Sequence, residues 1–362
     1  MTNGLDDVVA AETVLSDVDG AKGRLVIRGH AVEDLAAGWA FEDVVHLLLE
    51  GFVDGLPAGE DLRSAIGSAR LGVFKRISPH LAALRDLEPV DALRAGLSLL
   101  ADGDDLDTAL QLVAAPAVIT AARLRMGAAK TPVAPDPANT HSADFLRMIS
   151  GRPATAHAAS GLDSYLATVS DHGMNASTFT ARTVASTQAG LGSAAIAGLC
   201  ALKGPLHGGA PGPVLAMLDA IATPQAAHGW LAEALARGDR LMGFGHRIYR
   251  VRDPRADALK QAIARLSSDE ELAGRIALAE AVETAALDLL RTAKPDRSLD
   301  TNVEFYTAAL LEALGFPAQA FTCVFAAGRV VGWIAHAREQ AMTGRLIRPQ
   351  SRYIGPAPQI AA

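Results

Sequence analysis

Aromatic residues are scarce in this chain: 5% of its 362 positions, although half of all residues are hydrophobic. A core with so few rings must be built from Ala, Leu, Val and Ile, which favours closely packed helices over a β-sandwich. Cysteine is nearly absent. Cys200 and Cys323 both lie in apolar runs, so they read as buried free thiols, and no disulfide framework or zinc site is indicated. Positive charge is not in excess either. The formal net charge of −7 excludes the broad basic face that a nucleic-acid partner requires, so an anionic ligand must be met by a local cluster of arginines. The amino-terminal stretch has no basic residue before Lys22, so neither a secretory signal nor a mitochondrial presequence is expected. The longest low-charge stretch, 183–202, contains Ser, Thr, Gln and Gly and suits a helix inside protein rather than lipid. The expectation is a soluble, cytoplasmic, all-α chain of roughly two domains. At this length it can bury about 75% of its unfolded surface without metals or disulfides.

Along the chain, residues 1–30 read as irregular with a short extended piece at 24–28. A mostly helical region follows over 31–124, where Phe41, Val44, Val45, Leu48 and Leu49 share one helix face. Three prolines mark 130–139 as a loop, a helical pattern resumes at 144–149, and 151–153 breaks it. Residues 176–202 are rich in Ala, Gly, Ser and Thr and read as one long helix suited to close helix packing or a subunit interface. A dense Gly/Pro patch over 204–213 ends it, and a final long helix is expected over about 318–342. There is no internal repeat, heptad pattern or low-complexity tract.

Among ten histidines, His46, His80, His141, His157 and His336 read as structural. Three others have unusual neighbours. His207 sits among glycines and prolines, which allow close backbone approach to a ligand and also suit a plain helix-connecting turn. His246 follows Gly243-Phe244-Gly245 and precedes Arg247, Arg250, Arg252 and Arg255. That basic loop can meet phosphates; the alternative is a solvated charged face. His172 lies just before the small-residue helix, where Asp171 or Asn175 can act as its cap. Glu304 is three residues after Thr301, the spacing of a capping box, so on spacing alone it reads as a helix cap.

Taken together, these segments resemble the citrate synthase family and occur in its order. The matching stretches are Asp171-His172-Gly173-Met174-Asn175-Ala176-Ser177-Thr178-Phe179, Gly204-Pro205-Leu206-His207-Gly208-Gly209-Ala210 and Leu241-Met242-Gly243-Phe244-Gly245-His246-Arg247-Ile248-Tyr249. They continue with Asp253-Pro254-Arg255-Ala256, Asn302-Val303-Glu304-Phe305-Tyr306, Gly332-Trp333-Ile334-Ala335-His336 and the tail from Arg348 to Gly355. The likeness is densest after Asp171.

The resemblance implies an all-α homodimer with a large domain (1–206 and 311–362) and a smaller mobile domain with the CoA-binding loop (207–310). It implies condensation of acetyl-CoA with oxaloacetate, followed by hydrolysis of citryl-CoA to citrate and CoA, with no metal and no tightly bound cofactor. His207, His246 and Glu304 would be catalytic, and His172, Arg255, Arg329 and a cross-subunit Arg348 would hold oxaloacetate. Gly243, Phe244, Gly245, Arg247 and Arg250 would meet CoA. The family's base is usually Asp, and the extra methylene of Glu304 displaces the carboxylate by about 1 Å, a shift that can cost ~10²-fold if uncorrected. Two other readings stay open: a 2-methylcitrate synthase that uses propionyl-CoA, and a non-catalytic CoA- or dicarboxylate-binding homologue in which Glu304 only caps its helix.

Overall fold

The computed structural model describes residues 5, 8–208, 211–246, 248–266, 270–294, 297 and 299–356. As expected, the architecture is helical. The first half holds α1 (Val32–Gly38), α2 (Phe41–Leu49), α3 (Gly59–Ile77), α4 (Leu81–Leu84), α5 (Pro89–Leu97), α6 (Leu106–Gly127), α7 (His141–Ser150) and α8 (Ala156–Val169). The second holds α9 (Ala176–Ala185), α10 (Leu191–Leu202), α11 (Pro211–Ile221), α12 (Ala227–Ala236), α13 (Pro254–Ala264), α14 (Glu270–Ala293), α15 (Val303–Ala313) and α16 (Phe321–Thr343). Ahead of them, β1 (Ser16–Asp19), β2 (Arg24–Ile27) and β3 (His30–Ala31) form a small antiparallel sheet in chain order. The extended piece foreseen at 24–28 is therefore the middle strand. Its turn forms because the Asp19 carboxylate accepts the amides of Ala21 and Lys22, and Gly23 supplies a φ of 62°.

The core is aliphatic and centres on α6 and α16, which pack against each other. Both are long and apolar enough to cross a membrane by length and composition, and both are mostly buried inside protein. Close packing of α16 has a specific cause. Gly328 and Gly332 lie one turn apart, where a Cβ at Gly332 would overlap the Ser170 carbonyl and one at Gly328 would press on Leu166 and Val169. Without those side chains, α16 lies directly on the end of α8 and the following loop, where His172 is found.

Two expectations need correction. The stretch 176–202 is not one helix but two, broken at 186–190. Gln188 and Gly190 have φ of 63° and 94° there, and Asp102, distant in sequence, caps the new helix by accepting from Gly192 N, Ser193 N and Ser193 Oγ. A Cβ on Gly190 would overlap that carboxylate. Cys200, expected to be buried, is exposed on α10, whereas Cys323 is buried in α16.

Candidate active site

Six of the singled-out side chains come from six separate elements. His172 lies in the α8–α9 loop, His207 in the turn after α10, and His246 in the loop before α13. Arg255 and Glu304 sit in the first turns of α13 and α15, and Arg329 in α16. The loops are tied into one frame. Asn302 N donates to Gly243 O (2.9 Å), Gly245 N to Asp300 O (2.7 Å) and Asn302 Nδ2 to Gly245 O (2.7 Å). Asp253 joins the frame to the helices: its carboxylate accepts Arg255 N (3.1 Å), Arg255 Nε (3.0 Å), Arg255 Nη2 (2.9 Å) and Val303 N (3.1 Å). Gly243 serves this frame: its φ is 86° and a Cβ would meet Phe305 at 2.8 Å.

The His246 ring is fixed by its backbone surroundings. Nδ1 accepts the amides of Ile248 (3.0 Å) and Tyr249 (3.1 Å), so the neutral ring carries its proton on Nε2. Burial and then the Arg255 charge push its pKa down to about 4. Arg255 Nη2 stands 3.3 Å from that Nε2. Two donors thus face one another, an arrangement that an incoming carbonyl or carboxylate oxygen would satisfy. His172 is buried, and its Nε2 lies 3.0 Å from the Tyr249 hydroxyl. Burial, followed by the charges of Arg255 and Arg329, holds its pKa well below the usual histidine range.

His207 is positioned by Ser177. Ser177 Oγ accepts from Trp333 Nε1 (3.1 Å), donates to Asn175 Oδ1 (2.8 Å) and lies 2.9 Å from His207 Nε2. Asn175 caps α9, and its Oδ1 already accepts the amides of Ser177 and Thr178 (both 3.1 Å). Burial and the Arg329 charge lower the His207 pKa to about 4.

Glu304 is not a capping-box residue. Asn302 caps α15 by accepting Glu304 N (3.0 Å), while the Thr301 hydroxyl donates to Glu283 (2.7 Å). Among the described residues the Glu304 carboxylate accepts no hydrogen bond. Burial raises its pKa to about 7, Arg255 and Arg329 pulling it down and Asp253 pushing it up. Arg329 donates its Nε to Val169 O (2.6 Å), but its buried Nη2 has no partner among the described residues. Burial lowers its pKa to about 10. A buried guanidinium with a free donor calls for an anionic ligand.

Beside His246 a cavity of about 710 Å³ opens, lined in part by Phe244, Gly245, Arg250, Arg240, Lys294 and Arg297. It is basic at its rim and contains three of the five residues expected to meet CoA. Arg247 lies outside the described residues. Arg348 is exposed on the segment after α16 and takes part in none of these contacts. His336 is structural, as expected. Its Nδ1 accepts from Arg182 (2.9 Å) and its Nε2 faces Asp171 (3.2 Å), and Arg182 also pairs with Glu339. Although burial works against it, the His336 and Arg329 charges and a Ser16 hydrogen bond hold the Asp171 pKa below the usual carboxylate value. Among the described residues no group of three or more His, Cys, Asp or Glu side chains is placed to hold a metal ion.

The family model "Citrate synthase, C-terminal domain" matches residues 4–350. The chain belongs to the citrate synthase family. It is 40% identical to "Putative citrate synthase 2" of Mycobacterium tuberculosis, over 98% of this chain and 93% of that protein. It is 34% identical to the "Citrate/2-methylcitrate synthase" of Bacillus subtilis, over 98% and 96%. The fold matches the citrate synthase of Thermoplasma acidophilum in ternary complex with carboxymethyl coenzyme A and oxaloacetate, with a TM-score of 0.85, 30% identity and coverage of 99% and 97%. The Thermotoga maritima citrate synthase structure matches with a TM-score of 0.84 and 32% identity, covering 100% and 98%. Citrate synthase-family membership accounts for the order of the motifs. Sequence reasoning missed Tyr249, Ser177 and Asp253 as site residues; all three lie inside the quoted motifs, which was the available signal.

Proposed function

We propose that this chain condenses acetyl-CoA with oxaloacetate and hydrolyses the resulting citryl-CoA, releasing citrate and CoA. The observation that carries this reading is the pairing of a carboxyl with a pKa of about 7, Glu304, with two neutral histidines, His246 held in one tautomer, beside a buried arginine with a free donor. Glu304 removes a methyl proton from the thioester while His207 hydrogen-bonds the oxygen of the enol that forms; neither group suffices alone for so weak a carbon acid. The enol carbon then attacks the ketone of oxaloacetate; His246 Nε2–H polarises the ketone and hydrogen-bonds the alkoxide that forms, and the proton the alkoxide finally gains balances the one Glu304 took from the methyl group. His172, Arg255 and Arg329 hold the carboxylates, Arg255 and Arg329 by their planar forks. Water finally cleaves the thioester. The basic cavity beside His246 receives CoA, with Arg250 and Arg247 near its phosphates.

The same reading divides the chain into a large domain (1–206 and 311–362) and a mobile small domain (207–310) that closes over oxaloacetate and keeps water from the intermediate. It also makes the protein a cytoplasmic homodimer, with Arg348 completing the neighbouring subunit's site. The exposure of Arg348 and its separation from the cluster's contacts support that role.

A 2-methylcitrate synthase activity is the second reading, favoured by the relatives named citrate/2-methylcitrate synthase and 2-methylcitrate synthase. One methylene in an acyl pocket discriminates by only about 10- to 200-fold. CoA release measured with oxaloacetate and either acetyl-CoA or propionyl-CoA ranks the two. Turnover at least tenfold better with acetyl-CoA is expected; no release with either thioester would refute both and leave a binding protein.

A further inference from the structure

Tyr249 stands among three proposed oxaloacetate ligands yet has no part in the chemistry above. Its side chain is buried. Its hydroxyl lies 3.0 Å from His172 Nε2, and its ring packs against the His172 ring (centroids 5.6 Å apart), the His246 ring (4.9 Å) and the Arg255 guanidinium (5.6 Å). Its backbone amide donates to His246 Nδ1 (3.1 Å). One residue therefore touches both site imidazoles, through two different groups.

The proton positions follow from donor counting. Among the described residues the Tyr249 hydroxyl has no neighbour within hydrogen-bonding distance other than His172 Nε2. A buried O–H left without an acceptor is costly, so the hydroxyl donates to that nitrogen. The neutral His172 ring then carries its own proton on Nδ1. Tyr249 N does the converse for His246, filling Nδ1 and leaving the proton on Nε2.

We propose that Tyr249 is a positioning residue of the oxo-acid site: its hydroxyl fixes the tautomer and orientation of His172 while its amide fixes those of His246. This inference rests on the condensation reading, because it presumes that His172 serves a 2-oxo dicarboxylate. Removing only the hydroxyl, with Tyr249→Phe, leaves the ring, the arginine contact and the His246 amide in place.

The test measures oxaloacetate affinity directly by calorimetry, together with KM and kcat. In Tyr249→Phe the oxaloacetate Kd and KM rise about 10-fold, the loss of one buried hydrogen bond, while kcat and the acetyl-CoA KM stay within about 2-fold. In a His172→Gln background the same substitution changes oxaloacetate binding by less than about 2-fold, because the effect passes through His172. Nitrogen-15 spectra of the His172 ring show the proton on Nδ1 in the wild type and a tautomer mixture in Tyr249→Phe. Unchanged oxaloacetate affinity, equal losses in both backgrounds, or a wild-type His172 protonated on Nε2 would each overturn the inference. The two readings fail separately: absence of wild-type turnover refutes the condensation, whereas the calorimetric comparison judges Tyr249 without needing turnover.

Discussion

The pKa of Glu304 gives the reaction a definite pH dependence. A base with a pKa of about 7 is roughly 10% ionised at pH 6, half at pH 7 and about 90% at pH 8. An ordinary glutamate, near 4.3, is almost fully ionised throughout that range. His207 and His246, at about 4, stay neutral and contribute no bend there. At saturating oxaloacetate, log kcat/KM for acetyl-CoA therefore rises with unit slope and levels off at about pH 7 or above. Bound oxaloacetate can only move the bend upward, since its two negative charges offset Arg255 and Arg329, the charges that now pull the carboxyl down. Glu304→Gln loses the acid limb along with about 10²- to 10⁴-fold in kcat. The same shift acts on stability with the opposite benefit. Between pH 4.5 and 7 the folded protein holds the Glu304 proton more tightly than the unfolded chain, so stability falls as pH rises through that window. The Gln variant avoids this penalty and is more stable at pH 8 by roughly 1–3 kcal/mol in denaturant melts, with the gain vanishing near pH 4. A bend near pH 4–5, or an acid limb that survives in Glu304→Gln, would refute the assignment of the base.

Glu283 supports the same segment from below. It accepts from Tyr306 Oη (2.6 Å), Thr301 Oγ1 (2.7 Å) and Lys260 Nζ (2.9 Å) and pairs with Arg252 (2.8 Å). Burial opposes its ionisation, yet these partners bring its pKa to about 2. Its contribution is present above pH 4.5 and lost as pH falls toward 2, so Glu283→Gln costs about 2–3 kcal/mol at pH 7 in urea melts and little near pH 2. Gly332→Ala forces a methyl into the Ser170 carbonyl. It lowers stability by about 1–3 kcal/mol and weakens oxaloacetate binding through the displaced His172 loop; an unchanged melt and Kd would show that the backbones have room to part.

Much of the site was legible because His172, His207, His246, Arg255 and Glu304 sit in long motifs whose order could be read without coordinates, and Arg329 stands just ahead of another. What escaped depends on chain segments meeting in space. The Thr301–Glu304 spacing suggested a capping box, but Thr301 is drawn away by Glu283, eighteen residues earlier, and Asn302 takes over the cap. The break at 186–190 is set by Asp102, about ninety residues away, so the local small-residue pattern gave no sign of it. The role of Gly332 is likewise decided by what lies opposite it, not by its neighbours in sequence.

The buried chain of Asp171, His336, Arg182 and Glu339 ends at the segment just before the first strand, where Thr13 Oγ1 and Val14 N donate to Glu339 across 326 and 325 residues. That distance becomes time during synthesis. At about 5–20 residues per second the ribosome needs roughly 15–65 s to go from Thr13 to Glu339. Throughout that interval the segment leading into the first strand lacks its anchor, and from its own synthesis until His336 follows, the Asp171 carboxylate beside His172 lacks its imidazole neighbour. Early domain-like pieces can collapse around α6, but the site cannot be completed until the last long helix has left the ribosome. Contacts of such sequence separation slow folding. The nascent chain thus carries an unfinished active site for nearly the whole of its translation.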